Sequence, residues 1–205
     1  MITFVARIII ILLYKVHMKK LYSVVFAALV AVVSFSAQAE TPYWEAVAGL
    51  NLSTIDRSGV DFRPGFHAGI RGTWDIPKVT DGFYVNAATL LSFRGFKMDS
   101  ISYNPFFLDI PVHAGYKYAM DDRFSLFAEA GPYVGIGLFG KTEGYNVFSD
   151  EIGYKRLDVG FGLHVGIEFN NKVSVSLGGD FGFLKVADDF DYKPRNLKIS
   201  VGYRL

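Results

Sequence analysis

Residues 157–169 read Leu-Asp-Val-Gly-Phe-Gly-Leu-His-Val-Gly-Ile-Glu-Phe. Every odd-numbered position in this stretch is a large apolar residue, and every even-numbered position is charged, polar or glycine. Alternation with a period of two predicts a β-strand with one apolar face. Because a tilted strand needs only about 9–11 residues to cross a bilayer, this segment is long enough to span one. The same alternation recurs at 173–183 and 197–205, which predicts a sheet built from such strands.

The composition fits one domain of a bacterial envelope protein. The chain has 205 residues and a formal net charge of +1, which indicates neither a nucleic acid nor a strongly acidic partner. The mean hydropathy of +0.25 lies between the values typical of soluble domains and of helical membrane proteins, as expected when every second residue faces lipid. The sequence contains no cysteine, which excludes disulfides and thiolate metal sites.

The N-terminal region has the pattern of a secretory signal. A basic start at Met18-Lys19-Lys20 is followed by an apolar run at 21–35 and by Ala37-Gln38-Ala39, which has small residues where signal peptidase requires them. We therefore predict that translation starts at Met18 and that cleavage follows Ala39. Residues 1–39 would then be the secretory segment and residues 40–205 the mature domain. The alternative is that the apolar run remains as an N-terminal anchor.

After Ala39 no segment approaches the length of apolar sequence that a transmembrane helix needs. Strands satisfy their backbone hydrogen bonds in lipid only when the sheet closes. Eight segments with period two are bounded by turn residues; they are Tyr43–Ser53, Pro64–Asp75, Phe83–Arg94, Phe106–Tyr118, Phe124–Phe139, Tyr154–Phe169, Val173–Leu184 and Asn196–Leu205. We predict an all-β fold, an eight-stranded antiparallel up-and-down transmembrane β-barrel.

Aromatic residues concentrate at the predicted strand ends. With the N-terminus on the periplasmic side, one set forms a belt at a single membrane interface; its members are Trp44, Trp74, Tyr116, Tyr118, Phe169 and Tyr203. The connections on the periplasmic side include the short turns 120–123 and 170–172. The polar stretches 55–63, 97–104, 141–153 and 185–195 are predicted to be outer loops.

Along the predicted strands, the positions that alternate with the apolar ones carry charges of both signs. They include Arg71, Arg94, Lys117, Glu129, Asp158, His164, Glu168, Asp180 and Arg204. Eight strands enclose a lumen just wide enough for side chains to fill, and a buried charge without a partner is costly. We therefore predict that these residues form a polar network that plugs the lumen.

Three inward histidines, His67, His113 and His164, are candidate bases, with Glu129, Asp158 or Asp180 as candidate carboxylates to orient them. The chain has no Gly-x-Ser-x-Gly elbow and no His-Glu-x-x-His motif. The histidines also lie on different predicted strands without a local ligand spacing. We therefore expect no catalytic residues, no cofactor site and no metal site, and we do not expect an enzyme.

Four segments give the chain a family resemblance. Phe107-Leu108-Asp109-Ile110-Pro111, Ala130-Gly131-Pro132-Tyr133-Val134-Gly135, the stretch 157–169 and the closing Ser200-Val201-Gly202-Tyr203-Arg204-Leu205 resemble the Bacteroidetes-type outer membrane protein beta-barrel family, the PorT-like group labelled porin-family proteins. The resemblance covers residues 43–205. It implies an outer-membrane location in a Gram-negative bacterium, and members of the family range from adhesion proteins to secretion accessories.

We expect a structural or interaction role exercised through the outer loops. The expected partners are outer-membrane lipids and lipopolysaccharide, the barrel-assembly machinery during insertion, and a surface ligand or protein, but not nucleic acid. The alternatives are a narrow, porin-like channel, a secretion-system accessory and, less favoured, a lipid-modifying enzyme. A fold-level alternative is a soluble calycin-like barrel, in which the apolar face would point inward and the charges outward.

Overall fold

The computed structural model describes residues 41–57, 59–98, 101–149, 152–187 and 191–205. The predicted secretory segment and its cleavage point lie outside these residues. Within the described ranges, ten antiparallel strands form one sheet; they are β1 (Tyr43–Ile55), β2 (Asp61–Asp75), β3 (Phe83–Phe93), β4 (Phe96–Met98), β5 (Ile101–Ala119), β6 (Phe124–Thr142), β7 (Tyr145–Asn146), β8 (Leu157–Phe169), β9 (Val173–Gly182) and β10 (Pro194–Arg204). Among the described residues no helix is long and apolar enough to cross a membrane.

The eight long strands close into a barrel. Each of β1, β2, β3, β5, β6, β8, β9 and β10 pairs with its neighbours in the chain, and β1 pairs with β10 in the register Glu45↔Arg204 to Ile55↔Pro194. Closure leaves none of these strands with an unpaired edge, as hydrocarbon surroundings require. The prediction of an eight-stranded antiparallel up-and-down barrel is confirmed.

The two faces of the wall differ as the alternation predicts. In β8, the outward Leu163 is 54% exposed whereas the adjacent His164 is 6% exposed. The outer surface carries valine, leucine, isoleucine and phenylalanine, and the lumen holds the buried charged and amide side chains. A soluble calycin-like barrel needs the opposite arrangement, so that alternative is wrong.

The wall extends further at one end than we predicted. β2 begins at Asp61 and β5 at Ile101, in segments expected to be irregular loops, because the short strand β4 pairs with both. Phe96 of β4 pairs with Phe62 and stacks on Tyr103 with ring centroids 4.6 Å apart. Aromatic pairing across strands stabilises sheet structure here, and the expectation of long loops at 55–63 and 97–104 is wrong.

The barrel has two distinct ends. We call the end that holds the connections 120–123 and 170–172 the short-turn end. The first strand begins at this end, near Tyr43, and the last strand finishes there, near Leu205. The other end, which holds the connections 143–156 and 183–193, is the long-loop end. The asymmetry is not uniform, because the connection 76–82 at the short-turn end is longer than 56–60 at the long-loop end.

Candidate functional site

The lumen near the short-turn end is filled by an ion pair capped with aromatic rings. Lys117 Nζ lies 2.8 Å from both carboxylate oxygens of Glu168 and donates a 3.1 Å hydrogen bond to the Tyr43 hydroxyl. The guanidinium carbon of Arg204 lies 3.9 Å from the centroid of the Tyr43 ring, a favourable cation–π contact. These contacts join β1, β5, β8 and β10 across the lumen.

The next layer is organised by Arg71. Its Nε and Nη2 donate to the two carboxylate oxygens of Glu45 at 2.8 and 3.0 Å, a bidentate pair of the strong kind. Its Nη1 lies 3.8 Å from Glu129 Oε1. The other oxygen of Glu129 accepts hydrogen bonds from Tyr84, at 2.8 Å, and Asn86, at 2.6 Å. Two carboxylates therefore share one guanidinium and three neutral donors, the third being the Ser174 hydroxyl on Glu45.

Towards the long-loop end, Arg94 bridges two acids from different strands. Its Nη2 is 2.9 Å from Asp109 Oδ1 and its Nη1 is 2.9 Å from Asp158 Oδ2. Tyr133 donates a 3.0 Å hydrogen bond to Asp158, and the Arg94 guanidinium lies 4.2 Å from the centroid of the Phe107 ring. Arg94 is 5% exposed, so this charge is compensated inside the protein and not by solvent.

A fourth group is centred on Asp180, the last of the predicted lumenal acids. Lys198 Nζ lies 2.6 Å from Asp180 Oδ2, and His164 Nε2 lies 3.5 Å from Asp180 Oδ1. The rings of His164 and His113 are 5.0 Å apart between centroids, and His113 Nδ1 is 3.3 Å from Glu129 Oε1. This group therefore joins the Arg71 layer through Glu129.

The structure brings eight of the nine predicted lumen residues into four close pairs: Arg71 with Glu129, Arg94 with Asp158, Lys117 with Glu168, and His164 with Asp180. The ninth, Arg204, contacts an aromatic ring instead. Reasoning from charge alone missed the neutral partners, namely Tyr43, Tyr84, Asn86 and Tyr133. The sequence feature that could have identified them is their place at strand positions whose side chains point into the lumen.

The contacts of His67 resemble those of a catalytic triad, in which a base lies between a nucleophile and an orienting residue. His67 Nε2 lies 2.9 Å from Ser200 Oγ and its Nδ1 lies 2.8 Å from Asn51 Oδ1, distances that suit acyl-transfer chemistry. His67 and Ser200 face a lumenal cavity of about 40 Å³. A cavity of that size admits only one or a few water molecules, so an ester or acyl substrate does not fit beside this serine.

The predicted belt residues lie together at the short-turn end. Trp44, Tyr116, Tyr118 and Tyr203 are each between 46% and 62% exposed, and Phe169 is 39% exposed. Trp74 is half-buried because its ring packs edge-on against Trp44, with centroids 6.4 Å apart. Near the long-loop end, a chain of outward rings joins Phe66, Phe93, Phe106 and Phe139. Amphipathic and aromatic rings at these two levels suit the interfaces of a bilayer.

A closed antiparallel barrel with an apolar exterior, aromatic strand ends and a packed polar interior defines a transmembrane barrel of the outer-membrane class. The chain belongs to the outer membrane protein beta-barrel domain family, which matches residues 25–204. It is thus an outer-membrane protein that lies in the lipid of that membrane.

Solved barrels resemble this fold at low sequence identity. Neisserial surface protein A is 12% identical, with a TM-score of 0.55 and coverage of 82% of this chain and 99% of that chain. Ail from Yersinia pestis is 16% identical, with a TM-score of 0.44 and coverage of 80% and 99%. OprG from Pseudomonas aeruginosa is 10% identical, with a TM-score of 0.47 and coverage of 82% and 97%. The likeness concerns the fold, and no curated protein sequence matches the chain.

Proposed function

We propose that this protein is a plugged barrel that acts as an interaction protein through its long-loop end. The observation that carries the proposal is the filled lumen. Three cavities inside it have volumes of about 40, 20 and 10 Å³, and a hollow of about 320 Å³, which Lys117 and Arg204 line, lies at its short-turn mouth. Ion pairs between strands that are not adjacent cross the lumen. A pore needs a continuous path of water, whereas cavities as small as the three inside the lumen hold isolated water molecules.

The long-loop end supports an interaction role because part of it is packed. Ile55, Phe96 and Val186, which come from three different segments, form a buried apolar cluster, and partly buried Tyr103 and Tyr154 pack against it. Burial of Tyr154, which lies in the connection after β7, raises the pKa of its hydroxyl above the ordinary tyrosine value. The described residues packed in this cluster give that end a fixed surface, which reduces the entropy lost on binding a surface ligand, lipopolysaccharide or a protein.

Planar-bilayer recordings test the plug. We expect the purified barrel to give no stable conductance steps, because Arg71, Arg94 and Lys117 form ion pairs across the lumen with carboxylates on strands that are not adjacent to their own. Faster migration of the unboiled sample in detergent gels serves as the control that the recorded protein is folded. Stable, large conductance whose ion selectivity changes in Glu129→Ala would support the channel alternative and contradict the proposal.

Thiol labelling of whole cells tests which end faces outward. The chain has no native cysteine, so Tyr145→Cys and Val79→Cys each create a single thiol. Both positions are more than half exposed, with Tyr145 at the long-loop end and Val79 at the short-turn end. We expect a membrane-impermeant maleimide to label Tyr145→Cys on intact cells and Val79→Cys only after lysis. The reverse pattern would place the long loops in the periplasm.

We also propose that residues 1–39 contain the secretory signal, with translation starting at Met18 and cleavage after Ala39, and that export precedes insertion by the barrel-assembly machinery. The basic, apolar and small-residue regions of the sequence support this. Mass spectrometry of the protein from outer membranes is expected to show Glu40 as the first residue. A peptide from residues 1–17, or an intact chain that begins at Met18, would contradict it.

We further propose that, within its family, the chain belongs to the PorT-like group of Bacteroidetes. The segments Phe107–Pro111 and Ala130–Gly135 support the PorT-like group of Bacteroidetes. In that case a secretion-accessory role is the second candidate, and a deletion strain with normal secretion would count against it. Catalysis ranks lower, because the Ser200–His67 pair opens only to a small cavity.

A further inference from the structure

Three metal-ligating side chains meet at the middle of the lumen. They are His113 of β5, Glu129 of β6 and His164 of β8, which come from three consecutive strands around the barrel wall. One ring nitrogen of each histidine and one carboxylate oxygen of Glu129 lie within 4.8 Å of one another. We propose that these residues bind a divalent transition-metal ion, with Zn²⁺ as the best match, inside the closed barrel.

The ligand types and spacing suit zinc. Two imidazoles and one carboxylate form a three-ligand set that leaves a fourth, tetrahedral position for water. His113 Nδ1 and Glu129 Oε1 are 3.3 Å apart, close to the separation of about 3.4 Å between two ligands that each lie about 2.1 Å from a tetrahedral metal. These two ligands therefore need little movement, and the ligand nitrogen of His164 lies within 4.8 Å of both.

The surrounding contacts hold the ligands in suitable orientations. His164 Nε2 lies 3.5 Å from Asp180 Oδ1, and Asp180 is itself held by Lys198 at 2.6 Å. His164 Nδ1 is buried and has no hydrogen-bond partner among the described residues. A metal-bound histidine usually donates its second nitrogen to a carboxylate, so this arrangement leaves Nδ1 for the metal. Likewise, Tyr84 and Asn86 occupy Glu129 Oε2 and leave Oε1 for the metal.

The lumen has room for an ion at this place. The cavity of about 40 Å³ is lined by all three ligands, and it can hold a metal ion with one water molecule. Gly162 leaves room for the two histidine rings, because a Cβ atom there would lie 2.9 Å from His113 Nε2 and 3.1 Å from His164 Cε1. His113 Nε2 is also buried without a hydrogen-bond partner in the described part of the chain, which leaves it free to bind a water molecule in the cavity.

Two cations compete with the metal, but each is engaged elsewhere. Arg71 lies 3.8 Å from Glu129 and makes its two short hydrogen bonds to Glu45. Lys198 is paired with Asp180. The third lumenal histidine, His67, is bound to Asn51 and Ser200 through both ring nitrogens. It is therefore a matched control, since it is equally buried and lines the same cavity but is not one of the three ligands.

Calorimetric titration with ZnCl₂ tests the proposal. The untagged barrel is purified from outer membranes in detergent and treated with a chelator. Because the lumen is narrow, parallel samples are unfolded and refolded, and Zn²⁺ is supplied to one sample before refolding and to the other after it. We expect one Zn²⁺ per chain for the wild type and for His67→Asn, in at least one of the two protocols. His113→Asn and His164→Asn are expected to bind at least about 100-fold more weakly, and Asp180→Asn about 10- to 100-fold more weakly.

Two further measurements distinguish loss of the metal site from misfolding of a variant. Faster gel migration of each unboiled variant verifies that its barrel is closed. Co²⁺ bound to the wild-type protein is expected to show the intense visible bands of a four-coordinate ion, and stoichiometric Zn²⁺ is expected to remove them. The proposal is overturned if neither loading protocol gives one bound Zn²⁺, if His113→Asn and His164→Asn bind Zn²⁺ as the wild type does, or if His67→Asn loses binding equally.

Discussion

Replacing Arg94 with alanine is expected to lower the free energy of unfolding by about 3–5 kcal/mol, the cost of breaking a buried ion pair by removing one partner. Arg94 lies 2.9 Å from both Asp109 and Asp158, and both acids are at most 5% exposed. Without the guanidinium, two carboxylates from β5 and β8 would face each other in a poorly solvated lumen. Their mutual repulsion adds to the cost of burying each of them.

Guanidinium-induced unfolding of the protein reconstituted in phospholipid vesicles measures this change. Arg195→Ala is the matched control, because Arg195 pairs with Asp56 at 3.3 Å where both side chains are about a third exposed. An exposed pair contributes only about 0–1 kcal/mol. Adding Asp158→Asn to Arg94→Ala is expected to restore part of the lost stability. If Arg94→Ala alone lies within about 1 kcal/mol of the wild type, the charges in the lumen are solvated and the plug is not closed.

The second large effect is expected on the outer face. Leu163 lies at the centre of β8, points away from the lumen and is 54% exposed. We expect Leu163→Arg to destabilise the barrel in a bilayer by about 2–4 kcal/mol, the cost of an arginine at the lipid midplane of a transmembrane barrel. On a water-facing strand the same substitution would have an effect within about 0.5 kcal/mol.

The same vesicle-based unfolding experiment measures this effect. Val79→Arg is the matched control, because Val79 is 56% exposed in the connection between β2 and β3, where water solvates the new charge. Repeating the comparison at Phe169, at the short-turn end of β8, is expected to give a smaller loss, since the cost of a charge falls towards the interface. Equal stability of Leu163→Arg and Val79→Arg would contradict a membrane-facing outer wall.

The interior shows where sequence reasoning reached its limit. Parity along each strand placed Glu129 and His164 inside, and the structure gives Glu129 at 6% and His164 also at 6% exposure. Parity did not say that these two residues lie directly opposite each other across β6 and β8. For the same reason the grouping of His113 with them could not be predicted, because the three residues share no spacing in the chain.

The long-loop end shows a second limit. Polar segments such as 97–104 were expected to be irregular, yet Phe96 and Tyr103 carry the pairing onward through β4. Short strands of this kind are stabilised by contacts with distant segments, here Ile55 and Val186. Local alternation is too brief there to predict a strand.

By itself, the sequence determined which residues share a face of each strand, because a strand alternates its side chains with a period of two whatever its neighbours are. It also determined the number of long strands, since turn residues separate the alternating segments. The tertiary structure decided that the apolar face points outward and the charged face into the lumen. Only the tertiary structure decided which acid meets which base and which side chains surround the cavity of about 40 Å³. Those contacts depend on the stagger of neighbouring strands and on the closure of β1 onto β10. Stagger and closure are properties of the whole sheet and are encoded in no single segment.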